Sequence, residues 1–206
     1  MIKNIIFDMG NVLIDFNPMQ YIGKLNLKDK EEEKKIFKAA YMNYKSIYMD
    51  YGMISEQEFV DHVLNGIGEE YRDKISKLIK EWYEYLTPIE GMEELIKELK
   101  DSGYKIYLLS NAGFNQHDYW EKIPAHKYFD GGIVSCDVKA VKPFKEIYEA
   151  LYNKYNIKPE ESFFIDDLII NIFGGNQTGM KGYVFTGDVN DLRIELDKQG
   201  ILKIKW

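Results

Sequence analysis

Ile2-Lys3-Asn4-Ile5-Ile6-Phe7-Asp8-Met9-Gly10-Asn11-Val12-Leu13-Ile14-Asp15 decides how the rest of the chain is read. Ile5 to Phe7 is an apolar run with the length and composition of a buried strand. It stops on a carboxylate, Asp8, and Gly10 and Asn11 follow at once as turn residues. A strand ending this way holds its carboxylate at the carboxyl edge of a sheet, where open α/β sheets bind their ligands. Taken alone, one Asp-x-Gly reads as an Asp that caps a loop. Three later stretches fit the same site and change that reading: Leu109-Ser110-Asn111, Val141-Lys142-Pro143 and Phe164-Ile165-Asp166-Asp167.

Working outward, apolar strand-length runs at 105–109, 132–135, 162–165 and 182–185 alternate with helical periods at 92–102, 114–122, 144–155, 168–178 and 191–199. That alternation predicts an α/β fold, a Rossmann-like parallel sheet core covered by helices on both faces. Residues 17–86 hold no convincing strand. Their helical periods, at 31–40, 41–51, 55–64 and 69–85, are broken by Gly52, Gly66 and Gly68, and Ser55 with Glu58 three residues on marks a helix start. The expected organisation is therefore a catalytic core of 1–16 and 87–206, with a helical-bundle cap of 17–86 inserted after the first strand. Tyr41, Tyr44, Tyr48 and Tyr51 recur at steps of three and four, which would put four phenols on one helix face. They would serve there as bundle core or as the lining of a sugar site.

A chain of 206 residues suits one domain with an insertion, and 45% apolar with 30% charged residues is ordinary for a globular protein. The net charge of -7 offers no basic excess for nucleic acid or an anionic membrane. A phosphorylated substrate would have to be met by local positive charge: a metal, a lysine or backbone N–H groups. Cys136 is the only cysteine, which excludes an intrachain disulfide and reads as a small buried apolar residue. No run reaches the length of a membrane span, and Asp8 interrupts the one apolar stretch near the N-terminus. The chain reads as cytoplasmic.

In a parallel sheet Asp8, Ser110-Asn111 and Asp166-Asp167 all fall at one edge, with Lys142-Pro143 opening a helix nearby. Carboxylates crowded together repel or shift their pKa values unless a cation joins them. Oxygen ligands favour Mg²⁺. With a hydroxyl, an amide and a lysine added, the set suits a phosphoryl group.

In this order the four stretches resemble the haloacid dehalogenase-like superfamily, and within it the phosphatases with a helical cap after the first strand. Gly52-Met53-Ile54-Ser55-Glu56 and Leu108-Leu109-Ser110-Asn111 further resemble the α-D-glucose-1-phosphate phosphatase-like branch. The resemblance implies that Asp8 is a nucleophile forming an aspartyl phosphate, that Ser110 donates to a phosphoryl oxygen and that Asn111 helps orient substrate. Lys142 would neutralise the nucleophile–phosphate pair. Mg²⁺ would sit on the Asp8 carboxylate, the Gly10 carbonyl and Asp166, while Asp167 binds it through water or holds Lys142. The order of the two Asp roles stays open. The implied substrate is a small phosphate ester such as a sugar 1-phosphate, with no nucleic-acid or membrane partner and the oligomeric state left open.

Gly10 departs from the pattern, because most phosphatases of the superfamily carry an Asp there as general acid. General acid catalysis typically contributes ~10²–10⁴-fold, so leaving-group basicity is expected to weigh on the rate unless Asp15 or a cap residue supplies the proton. Two other readings remain. One is a metal-independent 2-haloacid dehalogenase, against which the acidic pair Asp166-Asp167 weighs. The other is a regulatory protein that keeps the phosphate pocket without turnover, with Gly10 as its support.

Overall fold

The computed structural model describes residues 1–203. In chain order its strands are β1 (Asn4–Phe7), β2 (Ile14–Asp15), β3 (Thr87–Pro88), β4 (Lys105–Ser110), β5 (Gly131–Val134), β6 (Ser162–Asp166) and β7 (Lys181–Val184). The first apolar run, β1, is the centre of a five-stranded parallel sheet ordered β5-β4-β1-β6-β7. The chain winds from β1 to one edge, then returns to fill the other side. The flanks of β1 are thus a switch point, the place where such sheets open a ligand crevice.

Period-two alternation assigns the strand side chains to two faces. Ile5, Phe7, Leu108, Phe163 and Ile165 meet Leu95, Ile96 and Leu99 of α6 (Met92–Asp101) and Leu192 and Leu196 of α11 (Val189–Lys198). Ile6, Tyr107, Leu109 and Phe164 meet Ile147, Tyr148 and Leu151 of α9 (Lys145–Tyr155) and Ile172 of α10 (Ile169–Gln177). Each such buried Ile, Leu or Phe contributes about 1.5–3 kcal/mol relative to exposure. Two short helices, α7 (Gln116–Tyr119) and α8 (Ser135–Val138), follow β4 and β5.

Between β2 and β3 the chain forms α1 (Pro18–Ile22), α2 (Lys30–Tyr41), α3 (Ser46–Asp50), α4 (Glu56–Ile67) and α5 (Arg72–Lys80). These helices share their own apolar core, including Tyr21, Ile22, Ile36, Phe59, Val63 and Ile75. The capping box foreseen at Ser55 and Glu58 is present in both directions. β2 and β3 pair antiparallel where the chain leaves and re-enters, Ile14 opposite Pro88 and Asp15 opposite Thr87. Two residues carry no periodicity, so neither strand is predicted from the sequence.

Three helical expectations are overturned. Residues 41–51 are not one helix, because Asn43 interrupts them. Its Nδ2 donates to Ala39 O at 3.1 Å and its Oδ1 accepts from Lys45 N at 3.1 Å, a local pattern that competes with the helical ladder. Tyr41 ends α2, Tyr44 sits in the break 73% exposed, and Tyr48 lies on α3, 38% exposed. The four phenols therefore share no face. The stretch 69–85 likewise divides, into α5 between 3₁₀ turns at Glu69–Tyr71 and Trp82–Tyr85, and 114–122 into α7 and a 3₁₀ turn at Trp120–Lys122. Among the described residues no helix is long and apolar enough to cross a membrane. Cys136 is free and buried.

Candidate active site

Asp8 follows β1, Ser110 ends β4 and Asp166 ends β6, so the parallel register alone brings them to one edge. The Asp8 N–H donates to Ile165 O at 2.9 Å, carrying the ladder one residue beyond β1. The chain then turns sharply: Asn11 adopts a φ of 54°, and the Leu13 N–H returns to Met9 O at 2.8 Å. Asn is among the few residues that accept left-handed backbone readily.

Lys142 enters from the loop before α9, and Asn111 clamps its main chain. The Lys142 N–H donates to Asn111 Oδ1 at 2.8 Å, and Asn111 Nδ2 donates to Lys142 O at 3.0 Å. The sequence reading has Asn111 orienting substrate, whereas here both polar atoms of its side chain hold the lysine loop. Helix α10 backs that loop so closely that a Cβ on Gly174 would run into Pro143 O. The glycine that weakens the helical pattern is what admits this contact.

Lys142 is 4% exposed, and its Nζ lies 2.7 Å from Asp8 Oδ1 and 2.7 Å from Asp166 Oδ2. Asp166 is fully buried and further engaged: Asn171 Nδ2 donates to its Oδ1 at 2.9 Å and its Oδ2 at 3.1 Å, and the Leu168 N–H to Oδ1 at 2.8 Å. Of the two roles left open for the acidic pair, the partner of Lys142 is thus Asp166 and not Asp167. Burial pulls the Lys142 ammonium down, but Asp8 and Asp166 outweigh it and leave its pKa above the ordinary value. Burial pushes the Asp8 carboxyl up to about 7, against the pull of Lys142, and Asp166 adds to the rise. One ammonium faces two buried carboxyl groups, so both can carry charge together only when a further cation joins them.

Asp167 is half-buried. Its Oδ2 accepts from Asn11 Nδ2 at 3.0 Å, and its carboxylate has no other hydrogen bond with a described residue. Asp8, Asp166 and Asp167 each present a carboxylate oxygen, all within 4.8 Å of one another, and Gly10 borders the same space. This donor set of hard oxygens fits Mg²⁺. Asp8 and Asp167 have lone pairs to offer it, whereas those of Asp166 are taken up by Lys142, Asn171 and Leu168.

Over these groups lies a cavity of about 450 Å³, within the size range of small-molecule sites. Asp8, Gly10, Ser110, Lys142 and Asp167 form its floor, and Tyr41, Met49, Asp50, Phe59, Ile79 and Trp82 come from the helical insert. The Ser110 hydroxyl has no hydrogen bond with a described residue. The Tyr41 hydroxyl is buried and has no hydrogen-bond partner among the described residues. Insert and core touch across the rim: Glu56 Oε1 accepts from Asn115 N at 2.9 Å, and Asn115 Nδ2 donates to Ile79 O at 3.2 Å. Sequence reasoning missed Asn171, whose signal was its place five residues after Asp166 on α10. It also missed Asp50 and the inward turn of Tyr41 alone, which only the break at Asn43 explains.

A family model described as haloacid dehalogenase-like hydrolase matches residues 2–179. The chain belongs to the haloacid dehalogenase-like hydrolases. It is 25% identical over 192 residues to the glyceraldehyde 3-phosphate phosphatase of Pyrococcus furiosus, covering 87% of this chain and 79% of that relative. It is 26% identical over 194 residues to the D-ribitol-5-phosphate phosphatase of Bacteroides thetaiotaomicron, covering 89% and 91%. Among solved structures, a haloacid dehalogenase family enzyme of Bacteroides thetaiotaomicron in complex with magnesium and inorganic phosphate gives a TM-score of 0.72 at 26% identity, over 93% of this chain and 99% of that one. As a haloacid dehalogenase-like hydrolase the chain is an enzyme, built on a parallel α/β core with a helical insert after the first strand.

Proposed function

We propose that this hydrolase is a Mg²⁺-dependent phosphatase of small phosphate monoesters, acting through an aspartyl phosphate on Asp8. The observation that carries the reading is the Asp8–Lys142–Asp166 cluster, with the free Ser110 hydroxyl and the Asp167 carboxylate beside it in one cavity. A carboxylate oxygen of Asp8 attacks phosphorus and the ester oxygen departs; water then attacks the aspartyl phosphate and restores Asp8. Lys142 offsets the charge of the nucleophile and the phosphoryl oxygens as they approach. Asp166 and Asn111 position that lysine, and Ser110 donates to a phosphoryl oxygen. Asp8, the Gly10 carbonyl and Asp167 would hold Mg²⁺, with Asp166 behind them. When bound, the ion supplies positive charge to the transferring phosphoryl group.

Residues 17–86 serve as the cap that closes the cavity and selects substrate. Aromatic walls at Phe16, Trp82 and Tyr119, with the buried Tyr41 hydroxyl, support a small hydroxylated ester. Relatives named for a triose phosphate and a pentitol phosphate support the same class, to which sugar 1-phosphates belong. A metal-independent dehalogenase would leave Asp167 without a task.

The test is a hydrolysis screen over sugar phosphates, nucleotides and aryl phosphates, with Mg²⁺ and with chelator. Phosphate release that depends on the metal is expected. Undiminished activity in chelator would contradict the mechanism and return the dehalogenase reading.

A further inference from the structure

Gly10 leaves the departing ester oxygen without an acid from the first motif, and Asp15, the other acid of that segment, does not border the cavity. Four other carboxyl groups do: Asp8, Asp50, Glu56 and Asp167. Three of them are occupied, Asp8 with Lys142, Asp167 with Asn11 and Glu56 with Asn115. Asp50 alone among them has neither a hydrogen bond nor an ion pair with any described residue.

Its placement is built in. Asp50 ends α3, and two residues on Gly52 takes a φ of +61°, its Cα so near the core that a Cβ would run into Cys136 O. This contact pins the end of α3 against α8, and Asp50 borders the same cavity as Asp8. Met49 and Trp82 wall the same space with apolar surface.

We propose that Asp50 is the general acid of the reaction, a catalytic residue supplied by the cap in place of one at position 10. The inference rests on the phosphatase reading above. As Asp8 forms its bond to phosphorus, the bond from phosphorus to the ester oxygen breaks. Its electron pair goes to that oxygen, and the Asp50 carboxyl gives the oxygen its proton, so the alcohol leaves neutral. In the second half the Asp50 carboxylate takes a proton from the water that attacks the aspartyl phosphate. This releases phosphate and returns both residues to their starting states.

Burial raises the Asp50 carboxyl to about 6, and Lys142 pulls the other way. A carboxyl so poised keeps a useful protonated fraction near neutral pH. The groups that share the cavity with it are Lys142 before α9, Glu56 on α4, Tyr119 on α7, Asp8 and Asp167 at the strand ends, and Tyr41 on α2. Of these, only the Lys142 ammonium acts appreciably on Asp50, and it opposes the protonated form that burial favours.

The experiment compares wild type and Asp50→Asn on 4-nitrophenyl, phenyl and alkyl phosphates, with kcat/KM followed against pH. A nitrophenolate departs without help, so Asp50→Asn should lose less than about threefold on that ester. It should lose about 10²–10⁴-fold on phenyl and alkyl esters, the usual worth of a general acid. The fall in alkyl-ester kcat/KM above about pH 6 should also be absent from the variant; substrate ionisation is the same for both proteins and cancels. These losses are read in kcat/KM, which covers only the steps up to alcohol release and so excludes the later base role; circular dichroism of both proteins is the folding control. Losses equal across the series would overturn the assignment of Asp50 while leaving the phosphatase reading intact. A wild type inert toward every phosphate ester would overturn both.

Discussion

Asp50→Asn should stabilise the protein at neutral pH, and the size of the gain follows from the structure. The carboxyl rises from an ordinary 3.8 to about 6, chiefly because burial disfavours its charged form. At 1.36 kcal/mol per pKa unit the full effect is about 3 kcal/mol. The cavity side of Asp50 meets solvent, which screens part of this, so about 1–2 kcal/mol is the working figure. The sign is that of an acid raised on folding. Its contribution is complete below the unfolded value of 3.8 and is lost as pH climbs through about 6. Asparagine keeps the shape and never charges, so the variant should exceed wild type at about pH 7.5 and match it near pH 4. Urea denaturation without added metal, at both pH values, measures the difference from the midpoint shift at constant slope. A variant less stable than wild type at neutral pH, or a difference independent of pH, would refute the reasoning.

Other substitutions separate the roles of the remaining residues. Asp166→Asn leaves Lys142 paired with Asp8 but weakens the charged hydrogen bonds that Asp166 makes, and should destabilise by about 1.5–3 kcal/mol. Asp167→Asn should cost less than about 1 kcal/mol and instead raise the Mg²⁺ concentration for half-maximal activity at least tenfold. Denaturation and metal titration of both variants check the pair, and a reversed pattern would exchange the two assignments. Tyr41→Phe should raise KM for a hydroxylated ester about 2–10-fold, the worth of one hydrogen bond, with kcat moving less; an unchanged KM would remove Tyr41 from the substrate site. A Cβ at Gly10 meets nothing nearer than Phe16 Cβ at 3.8 Å, so Gly10→Asp should fold normally. Added to Asp50→Asn, it should recover at least tenfold of the lost alkyl-ester rate, and no recovery would mean that the two positions do not reach the same oxygen.

The sheet was legible because its strands are continuous apolar runs that stop on polar residues, as at Phe7-Asp8 and Ile165-Asp166, and because buried parallel strands show this pattern strongly. The convergence of Asp8, Ser110 and Asp166 followed from the parallel topology, whereas Lys142 reaches them from a loop that Asn111 holds. What the sequence did not reveal depends on single side-chain contacts. Asn43 ends α2 by bonding to its own backbone neighbours, so a tyrosine repeat that fits a helix never forms one. The division of labour between Asp166 and Asp167 rests on which carboxylate faces Lys142, and two adjacent acids at a strand end look alike in sequence. Asp50 carries no local signal: its importance comes from a gap at Gly10, forty residues earlier, and from the Gly52 contact with Cys136.

The most direct measurement of the central claim is acid-quench mass spectrometry during turnover of 4-nitrophenyl phosphate with Mg²⁺. The expected result is a phosphoryl adduct on the peptide holding Asp8, located at that residue by fragmentation and absent from Asp8→Asn. Steady hydrolysis with no adduct at any quench time, together with an Asp8→Asn protein that still turns over, would contradict it and make water the nucleophile.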